Sequence, residues 1–427
     1  MKSSDETVAA TPDQPQRAPV VPDERIVSLD YIRGIAVLGI LFANITAFAH
    51  PMLAYFWPDA LPGGNTRGDD AVFLFQYVFI DGKLRGLFTL LFGVGMMLFL
   101  ERAWERGSGR WLQARRLFWL LLFGVLHFVL LFRGDILTSY AVWGFAALGL
   151  ARARVATLLP IALIIYGLGA LLLLSTGFQA FIEASPGACT PELAAMCEQL
   201  EATKASMLAN AQAAREVYPT GSYLDILAFT LSDQMDTLGK GVGYGILETF
   251  PLMLLGMATY KAGWFDGRMD RATLLRWGWT GVITGTLATV PFGVWAVAAD
   301  YPFYLTQFLF NGPPMIVRLP VVLGALALLA VYGARLKGLF LGERLAAAGR
   351  MAFSNYIGTS VVMMAIFNGW GLGLYGELHR PALLLFVLLG WALMLLWSKP
   401  WLERFRYGPL EWLWRCLTYW KLFPLRR

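Results

Sequence analysis

Ten long apolar stretches recur along the chain and are separated by more polar segments. Each is close to the roughly 20 residues that an α-helix needs to cross the hydrocarbon core of a bilayer. The pattern therefore predicts an all-α, polytopic membrane helix bundle with about ten transmembrane helices. The predicted spans lie near residues 28–49, 84–100, 115–132, 135–151, 155–176, 241–260, 275–298, 315–334, 352–370 and 381–398.

The segments outside these spans predict the domain organisation. Two shorter apolar runs, near 71–80 and 223–237, are interpreted as interfacial or re-entrant, and they could raise the span count. Residues 1–25 are polar and contain proline, which predicts a disordered cytoplasmic tail rather than a cleaved signal peptide. Residues 26–427 then form a single transmembrane domain. The Trp- and Tyr-rich segment at about 400–427 is typical of an interfacial helix.

Composition excludes several classes of protein. Hydrophobic residues make up 57% of the chain and charged residues 15%, against about 25% charged residues in a soluble domain. No basic stripe indicates a nucleic-acid partner, and no zinc spacing, Walker loop or dinucleotide fingerprint appears. We expect the partners to be the lipid bilayer and a small-molecule substrate, with a homodimer as one option, and we expect no metal and no permanently bound cofactor.

The distribution of positive charge predicts the orientation. Every second loop is rich in Lys and Arg, notably 101–116, 152–154, 261–276 and 335–350. The positive-inside rule places these loops and both termini in the cytoplasm of a multi-pass protein of the bacterial inner (plasma) membrane. The long segment at about 177–222 would then be extracytoplasmic. Its Cys189 and Cys197 can form a disulfide in that oxidising compartment, or remain two unpaired thiols.

Polar residues inside the predicted spans indicate an internal site, because lipid penalises such groups unless they face protein or water. Asn44, His127 and Asp135 all fall in the outer part of their spans. His127 is either a general base or a packing residue. Asp135 lies about 12 Å further along a straight helix, so it reaches His127 only if the chain folds back at Gly134. Alternatively, Asp135 caps the following helix.

Charged residues at the helix ends predict where an anionic substrate binds. Lys83 and Arg85 begin the second span on its outer side, where free amides and the helix dipole favour anions. Further positive side chains at inner helix ends either guide an anionic cosubstrate or only obey the positive-inside rule. Asn355 either binds substrate or bonds between helices, and the intramembrane Glu248 either relays protons or pairs with Lys240 or Arg318. The inner candidates are Arg33, Arg350 and Arg406.

The motif Leu29-Asp30-x-x-Arg33-Gly34-x-Ala36 resembles the opening helix of two membrane acyltransferase families, the acyltransferase-three family and the heparan-alpha-glucosaminide N-acetyltransferase family. Eleven residues after its Arg, the first family has a catalytic His, whereas this chain has Asn44. The second family has an active-site Asn there, which implies that role for Asn44. Its catalytic His follows eleven residues later, where this chain has Tyr55, with His50 nearby.

A second resemblance, to the YeiB-like family of bacterial multi-pass proteins, covers nearly the whole chain. It rests on Arg25–Asn44, Gly82-Lys83 with Leu87-Phe88 and Leu91-Phe92-Gly93, His127 with Gly134-Asp135-Ile136-Leu137, Gly349-Arg350-Met351-Ala352-x-x-Asn355-Tyr356, and Phe405-Arg406-x-Gly408-Pro409-x-Glu411-Trp412-x-Trp414-Arg415. This family implies relatives of the same fold but no activity.

Together these features favour a transmembrane acyltransferase. A cytoplasmic acyl-CoA, most simply acetyl-CoA, would donate its acyl group to an unidentified acceptor near the outer leaflet. His127 would be the base and Asn44 would bind the oxyanion, and Asp135 is a further catalytic candidate. A transporter or flippase for an anionic small molecule or lipid-linked solute is the alternative, and a nonenzymatic scaffold is a third reading.

Overall fold

The computed structural model describes residues 27–185, 187–336 and 338–427. All the regular secondary-structure elements within these residues are helices. The predicted tail at 1–25 lies outside the described residues. The all-α prediction is confirmed. The helices are α1 (Val27–Ala49), α2 (Leu53–Phe56), α3 (Arg67–Phe79), α4 (Lys83–Glu105), α5 (Arg110–Leu130), α6 (Leu137–Gly149), α7 (Val155–Ser175), α8 (Gly177–Ala184), α9 (Ala194–Thr220), α10 (Tyr223–Asp233), α11 (Met235–Tyr244), α12 (Thr249–Lys261), α13 (Arg271–Ala298), α14 (Phe303–Asn311), α15 (Pro313–Tyr332), α16 (Phe340–Arg350), α17 (Ala352–Phe367), α18 (Arg380–Arg404) and α19 (Pro409–Tyr419).

Each predicted span coincides with helix, but not every helix is long enough to cross a bilayer. Seven helical segments in the described residues are long and apolar enough, and the bent pair α11 and α12, which meet at 44°, makes an eighth. The remaining two predicted spans correspond to α6, with 13 residues, and α17, with 16. At 1.5 Å per residue, α6 is about 20 Å long, against a core of about 30 Å. A multi-pass helical membrane protein is supported, and the count of ten stays a prediction.

Helix α1 lies at the centre of the bundle. It packs against α4, α15, α16, α17 and α18. In its apolar stretch 83% of the residues are buried within the protein, against 22% in the peripheral helix α13. The crossing of α1 with α16 is very close, because a Cβ atom on Gly34 would lie 2.1 Å from the Leu345 carbonyl oxygen. A Cβ atom on Gly349 would lie 1.9 Å from the Asp30 carbonyl oxygen. The two glycines therefore hold their neighbours Arg33 and Arg350 close together.

The segment at 177–222 is mostly helical, since it contains α8 and α9. Cys189, in the loop between these helices, is bonded through its sulfur atom to Cys197 in the first turn of α9, with the two Cα atoms 6.0 Å apart. Helix α9 packs on α2 and α10, and the Arg215 guanidinium donates to the Ala60 carbonyl oxygen. At the other end of the chain, α19 packs against α5 and α17 rather than standing apart from the bundle.

Candidate functional site

The connection between α5 and α6 brings His127 and Asp135 together. Helix α5 ends at Leu130, and the chain then reverses direction over six residues before α6 begins. At Gly134 the Phe132 ring lies where a side chain would be, because a Cβ atom there would be 2.4 Å from it. As a result, Asp135 Oδ1 lies 2.8 Å from His127 Nδ1. Asp135 Oδ2 accepts the Thr138 amide at 2.7 Å, so the same carboxyl also caps α6.

The other ring nitrogen of His127 meets a residue that sequence reasoning missed. His127 Nε2 lies 2.8 Å from Ser360 Oγ, on α17, and both residues are buried. An ionised carboxylate only accepts hydrogen bonds, so Asp135 requires the proton on Nδ1, and the neutral imidazole then accepts at Nε2 from the Ser360 hydroxyl. The chain of contacts therefore runs from serine to histidine to aspartate, which is the order that activates a hydroxyl for nucleophilic attack.

Aromatic residues and a helix cap fix the position of this chain of contacts. The Tyr356 ring lies 4.9 Å from the His127 ring, and its hydroxyl accepts the Ile136 amide at 3.3 Å. The α17 N-terminus is capped by Glu411 of α19, which accepts the Phe353 and Ser354 amides at 2.8 and 3.0 Å. Burial raises the pKa of the Glu411 carboxyl, and the amides and the Ser354 hydroxyl oppose that rise. Helix α17, and with it Ser360, is thus held from two sides.

A cavity of about 200 Å³ leads toward this site from the end of the bundle where α1 begins. Three guanidinium groups, from Arg33, Arg116 and Arg350, line it together with Glu411. Its other walls are largely apolar and aromatic. They are formed by Phe88, Leu91, Phe92, Gly95, Met96, Gln113, Leu120, Leu137, Tyr140, Gly349, Ala352, Phe353, Tyr356 and Trp414. A cavity with cationic groups and an apolar wall suits an anionic molecule with a hydrophobic or acyl arm.

The cavity and the serine–histidine–aspartate chain are adjacent but separate. Tyr356 belongs to the wall of the cavity and also contacts His127. Ser360 follows Tyr356 by one helical turn, about 5–6 Å further along α17. Tyr356 is therefore the residue that links the wall of the cavity to the buried serine–histidine–aspartate chain, and Ser360 itself does not line the cavity.

Asn44 lies on the face of α1 that also carries Arg33 and Phe48, but it does not contact His127. It follows Arg33 by eleven residues, about three turns, so the two lie on the same side of α1. Phe48, one turn beyond Asn44, stacks on Phe132 at 3.9 Å, and Phe132 packs edge-on against His127. Asn44 itself is half-buried, and among the described residues its side chain has no hydrogen-bond partner.

Lys83 and Arg85 both form hydrogen bonds or ion pairs with other groups of the protein. The buried Lys83 donates to the Tyr77 carbonyl oxygen at 2.6 Å. Arg85 bonds to Glu248, whose other oxygen accepts from Arg318 at 3.0 Å. Of the two partners predicted for Glu248, Arg318 is therefore the one in contact, while Lys240 pairs with Asp236 at 2.7 Å. In this structure, Lys83 therefore bonds to the backbone, and Arg85, whose side chain is 42% exposed, belongs to an ion-pair network with Glu248 and the buried Arg318.

The remaining predicted residues separate into structural and exposed positions. The Asn355 side-chain amide donates to the Ala348 carbonyl and the Ser398 hydroxyl, and it accepts from Trp397. Of the two roles considered for Asn355, its contacts are those of a hydrogen bond between helices. Arg406 is exposed and does not line the cavity, unlike Arg33 and Arg350.

His50 contacts the Leu378 carbonyl oxygen at 2.8 Å, and burial lowers its pKa to about 4. In the described part of the chain, no three His, Cys, Asp or Glu side chains form a metal-binding group.

Comparisons with known proteins give relatives but no activity. Residues 259–421 match a family described as "Protein of unknown function (DUF418)". The chain is 33% identical to the uncharacterized protein YeiB of Escherichia coli, over 92% of this chain and 96% of that protein. It is 32% identical to the uncharacterized protein YxaH of Bacillus subtilis, over 96% and 98% of the two chains. No solved structure matches the chain.

Proposed function

Since the chain belongs to the YeiB-like family, whose relatives supply no reaction, we propose from the geometry that it is a transmembrane acyltransferase. It moves an acyl group from a CoA thioester to an acceptor near the opposite face of the membrane. The observation that carries this proposal is a single path. Tyr356 lines an arginine-lined cavity, and its ring contacts His127, which is paired with Asp135.

The cavity is suited to the donor. The phosphates of CoA carry several negative charges, and Arg33, Arg116 and Arg350 lie at the inner end of the cavity. About 200 Å³ is less than the 300–1,000 Å³ of a typical ligand pocket. The apolar part therefore accommodates the acyl group and the neighbouring arm of the donor, while the nucleotide remains at the rim. This assigns the substrate contacts to Arg33 and Arg350, as the sequence predicts, and adds Arg116.

The chemistry follows from the two sides of His127. Its Nε2 accepts the proton of the attacking hydroxyl or amine, and Asp135 at Nδ1 stabilises the imidazolium that results. Asn44, on the face of α1 that Arg33 and Phe48 share, supplies the hydrogen bond to the developing oxyanion. We expect Asn44→Ala to lower the transfer rate by roughly 10²–10³-fold without loss of folded protein, measured as transfer of labelled acetyl groups in membrane vesicles.

The same proposal includes a topology. Ten spans, with both termini and the arginine-lined end in the cytoplasm, place the donor where acyl-CoA is made and the 177–222 segment outside the inner membrane. A membrane-impermeant thiol reagent tests this orientation in intact cells. Cys189 and Cys197 should react only after reduction with an impermeant reductant. Labelling that requires permeabilised cells would place the segment inside.

Binding of the donor is tested by thermal unfolding of the purified full-length protein. Acetyl-CoA and CoA should raise the unfolding temperature, since a ligand that binds only the folded state stabilises it. ATP, which carries phosphates but no pantetheine arm, is the control and should stabilise less. If no CoA thioester has any effect while labelled acyl groups also fail to move, the acyltransferase proposal is wrong.

A second candidate, a transporter for an anionic solute, is favoured by one observation. The helix pair α11 and α12 is broken, and Glu248 lies at the break, between Arg85 and Arg318. Discontinuous helices with charged groups at the break are typical of transporter binding sites. Uptake of a labelled anion into proteoliposomes, lost in Glu248→Gln but retained in His127→Gln, would favour transport over acyl transfer.

A further inference from the structure

Ser360 differs from several buried hydroxyl groups on the helices of this protein, because its shortest contact is with a histidine. A helical Ser or Thr commonly donates its hydroxyl to the carbonyl oxygen one turn earlier. Here Ser398, Thr289 and Thr230 do so at 2.6, 2.8 and 2.9 Å. The corresponding distance from Ser360 Oγ to the Tyr356 carbonyl is 3.4 Å, whereas His127 Nε2 is 2.8 Å away. The Ser360 hydroxyl therefore has its shorter contact with the imidazole and only a long hydrogen bond to its own helix.

The position of Ser360 adds to this. It lies one turn beyond Tyr356, a residue of the cavity wall, and on the side of the bundle toward which α1 and α5 run. Asp135 fixes the imidazole tautomer that accepts from the hydroxyl, as shown above. A hydroxyl in contact with an oriented base, near the wall of an arginine-lined cavity, has the requirements of a nucleophile.

We propose that Ser360 is the residue that carries the acyl group, as a covalent ester, between the donor and the acceptor. This inference rests on the proposed acyltransferase function and deepens it. In the first step the Ser360 oxygen attacks the thioester carbonyl carbon, a C–O bond forms and the C–S bond breaks. The Ser360 proton passes to His127 Nε2 and from there to the departing CoA sulfur. In the second step the acceptor attacks the ester, and its proton returns through His127 to the Ser360 oxygen.

A covalent intermediate explains how a narrow site serves two substrates. The donor occupies the cavity on the arginine side, and it leaves before the acceptor arrives from the opposite side of Ser360. The two substrates never share the space of about 200 Å³. Only the acyl group passes the ring of Tyr356.

A serine-reactive fluorophosphonate probe tests the nucleophile without any substrate. Purified full-length protein should be labelled at Ser360, as identified by peptide mass spectrometry. Labelling should disappear in Ser360→Ala and fall by roughly 10²-fold or more in His127→Gln. The matched control is Ser398→Ala, because Ser398 is also buried but donates to the Met394 carbonyl and contacts no histidine. Loss of labelling in this control as well would mean that the probe reports only the fold. Labelling at another serine, or none in well-folded protein, would overturn the assignment.

A second measurement separates this inference from the proposed function. A covalent carrier exchanges labelled CoA into acetyl-CoA with no acceptor present, and Ser360→Ala should lower this exchange by roughly 10³-fold or more. Ser360→Cys, which keeps a nucleophile of similar size, should trap an acetyl thioester that hydroxylamine cleaves. If Ser360→Ala is folded and transfers acetyl groups at the normal rate, the covalent role of Ser360 is wrong, whereas the proposed acyltransferase function is retained. If Ser360 reacts with the probe but acetyl-CoA neither binds nor exchanges, the nucleophile stands and the donor class is wrong.

Discussion

Two polar networks lie within this bundle, and they are built differently. In the Glu248 network, one carboxylate accepts from two guanidinium groups, those of the buried Arg318 and of the partly exposed Arg85. In the His127 network, one carboxylate orients one imidazole, and the contacts end at the Ser360 hydroxyl. The first network contains only charged groups. The second ends in a buried hydroxyl, and Tyr356 beside it lines a cavity.

This difference separates a role in stability from a role in chemistry. An ion pair in a low-dielectric interior is stable only while both partners remain, so its loss is felt in folding. A histidine that accepts from a hydroxyl contributes little net charge, and its loss is felt in proton transfer. Burial of polar groups in a membrane protein therefore does not by itself mark the reactive site. The open end of the network does.

The largest effect should come from His127→Gln. Glutamine keeps the size and polarity of the site but cannot serve as a base at neutral pH, so the rate of acyl transfer should fall by roughly 10³–10⁴-fold. Because His127 and Asp135 are both fully buried, the unfolding temperature of the variant is measured as well, and the rate is compared per folded molecule. The measurement is transfer of labelled acetyl groups by purified, correctly folded protein. A fully active variant would remove His127 from the mechanism.

The reverse pattern is expected for Glu248→Gln. Removing the carboxylate leaves the buried Arg318 without a counter-charge, which should lower the free energy of unfolding by about 3–5 kcal/mol. Transfer per folded molecule should be retained. The matched control is Asp236→Asn, which breaks the exposed pair with Lys240 and should change stability little. Chemical denaturation in detergent micelles measures both variants, and equal effects would contradict the comparison.

A smaller effect is expected at the mouth of the cavity. Arg350→Gln should raise the apparent Kd for acetyl-CoA roughly tenfold, since a hydrogen bond to a charged group contributes about 1.5 kcal/mol. Arg406→Gln is the control, because Arg406 is exposed and does not line the cavity. Titration calorimetry at low and moderate salt distinguishes them. Equal affinities in both variants would show that the inner arginines act only in topology.

The smallest effect at neutral pH should come from His50. Its buried ring has a pKa of about 4 in the folded protein, below the ordinary value of 6.5. The folded state therefore resists protonation, and the stabilisation is present above pH 6.5 and lost as the pH falls from about 6.5 to 4. The loss is on the order of 3 kcal/mol at the acid end. His50→Gln should flatten this part of the stability curve. An unchanged acid profile would show that other groups cause it.

Sequence reasoning predicted the helices well, because apolar length decides them locally. It predicted less where the chain leaves a helix. His127 and Asp135 are eight residues apart, and a straight helix would separate them, but α5 ends at Leu130 and the chain turns back. The closing contact to Ser360 spans 233 residues, and a serine within an apolar helix carries no local signal of that partner. The position of Arg116 in the cavity wall was not predicted either, because Arg116 lies among several arginines that were interpreted only as a signal of membrane topology.

The cap that Glu411 places on α17 has a consequence for biogenesis. Helix α19 follows both α17 and α18 in the chain, so the ribosome makes Glu411 after the helix whose amides it binds. Until then the first turn of α17 lacks these acceptors, and the position of Ser360 is less constrained. The site is therefore assembled late, which would protect the cellular pool of thioesters from hydrolysis by nascent chains that are only partly inserted.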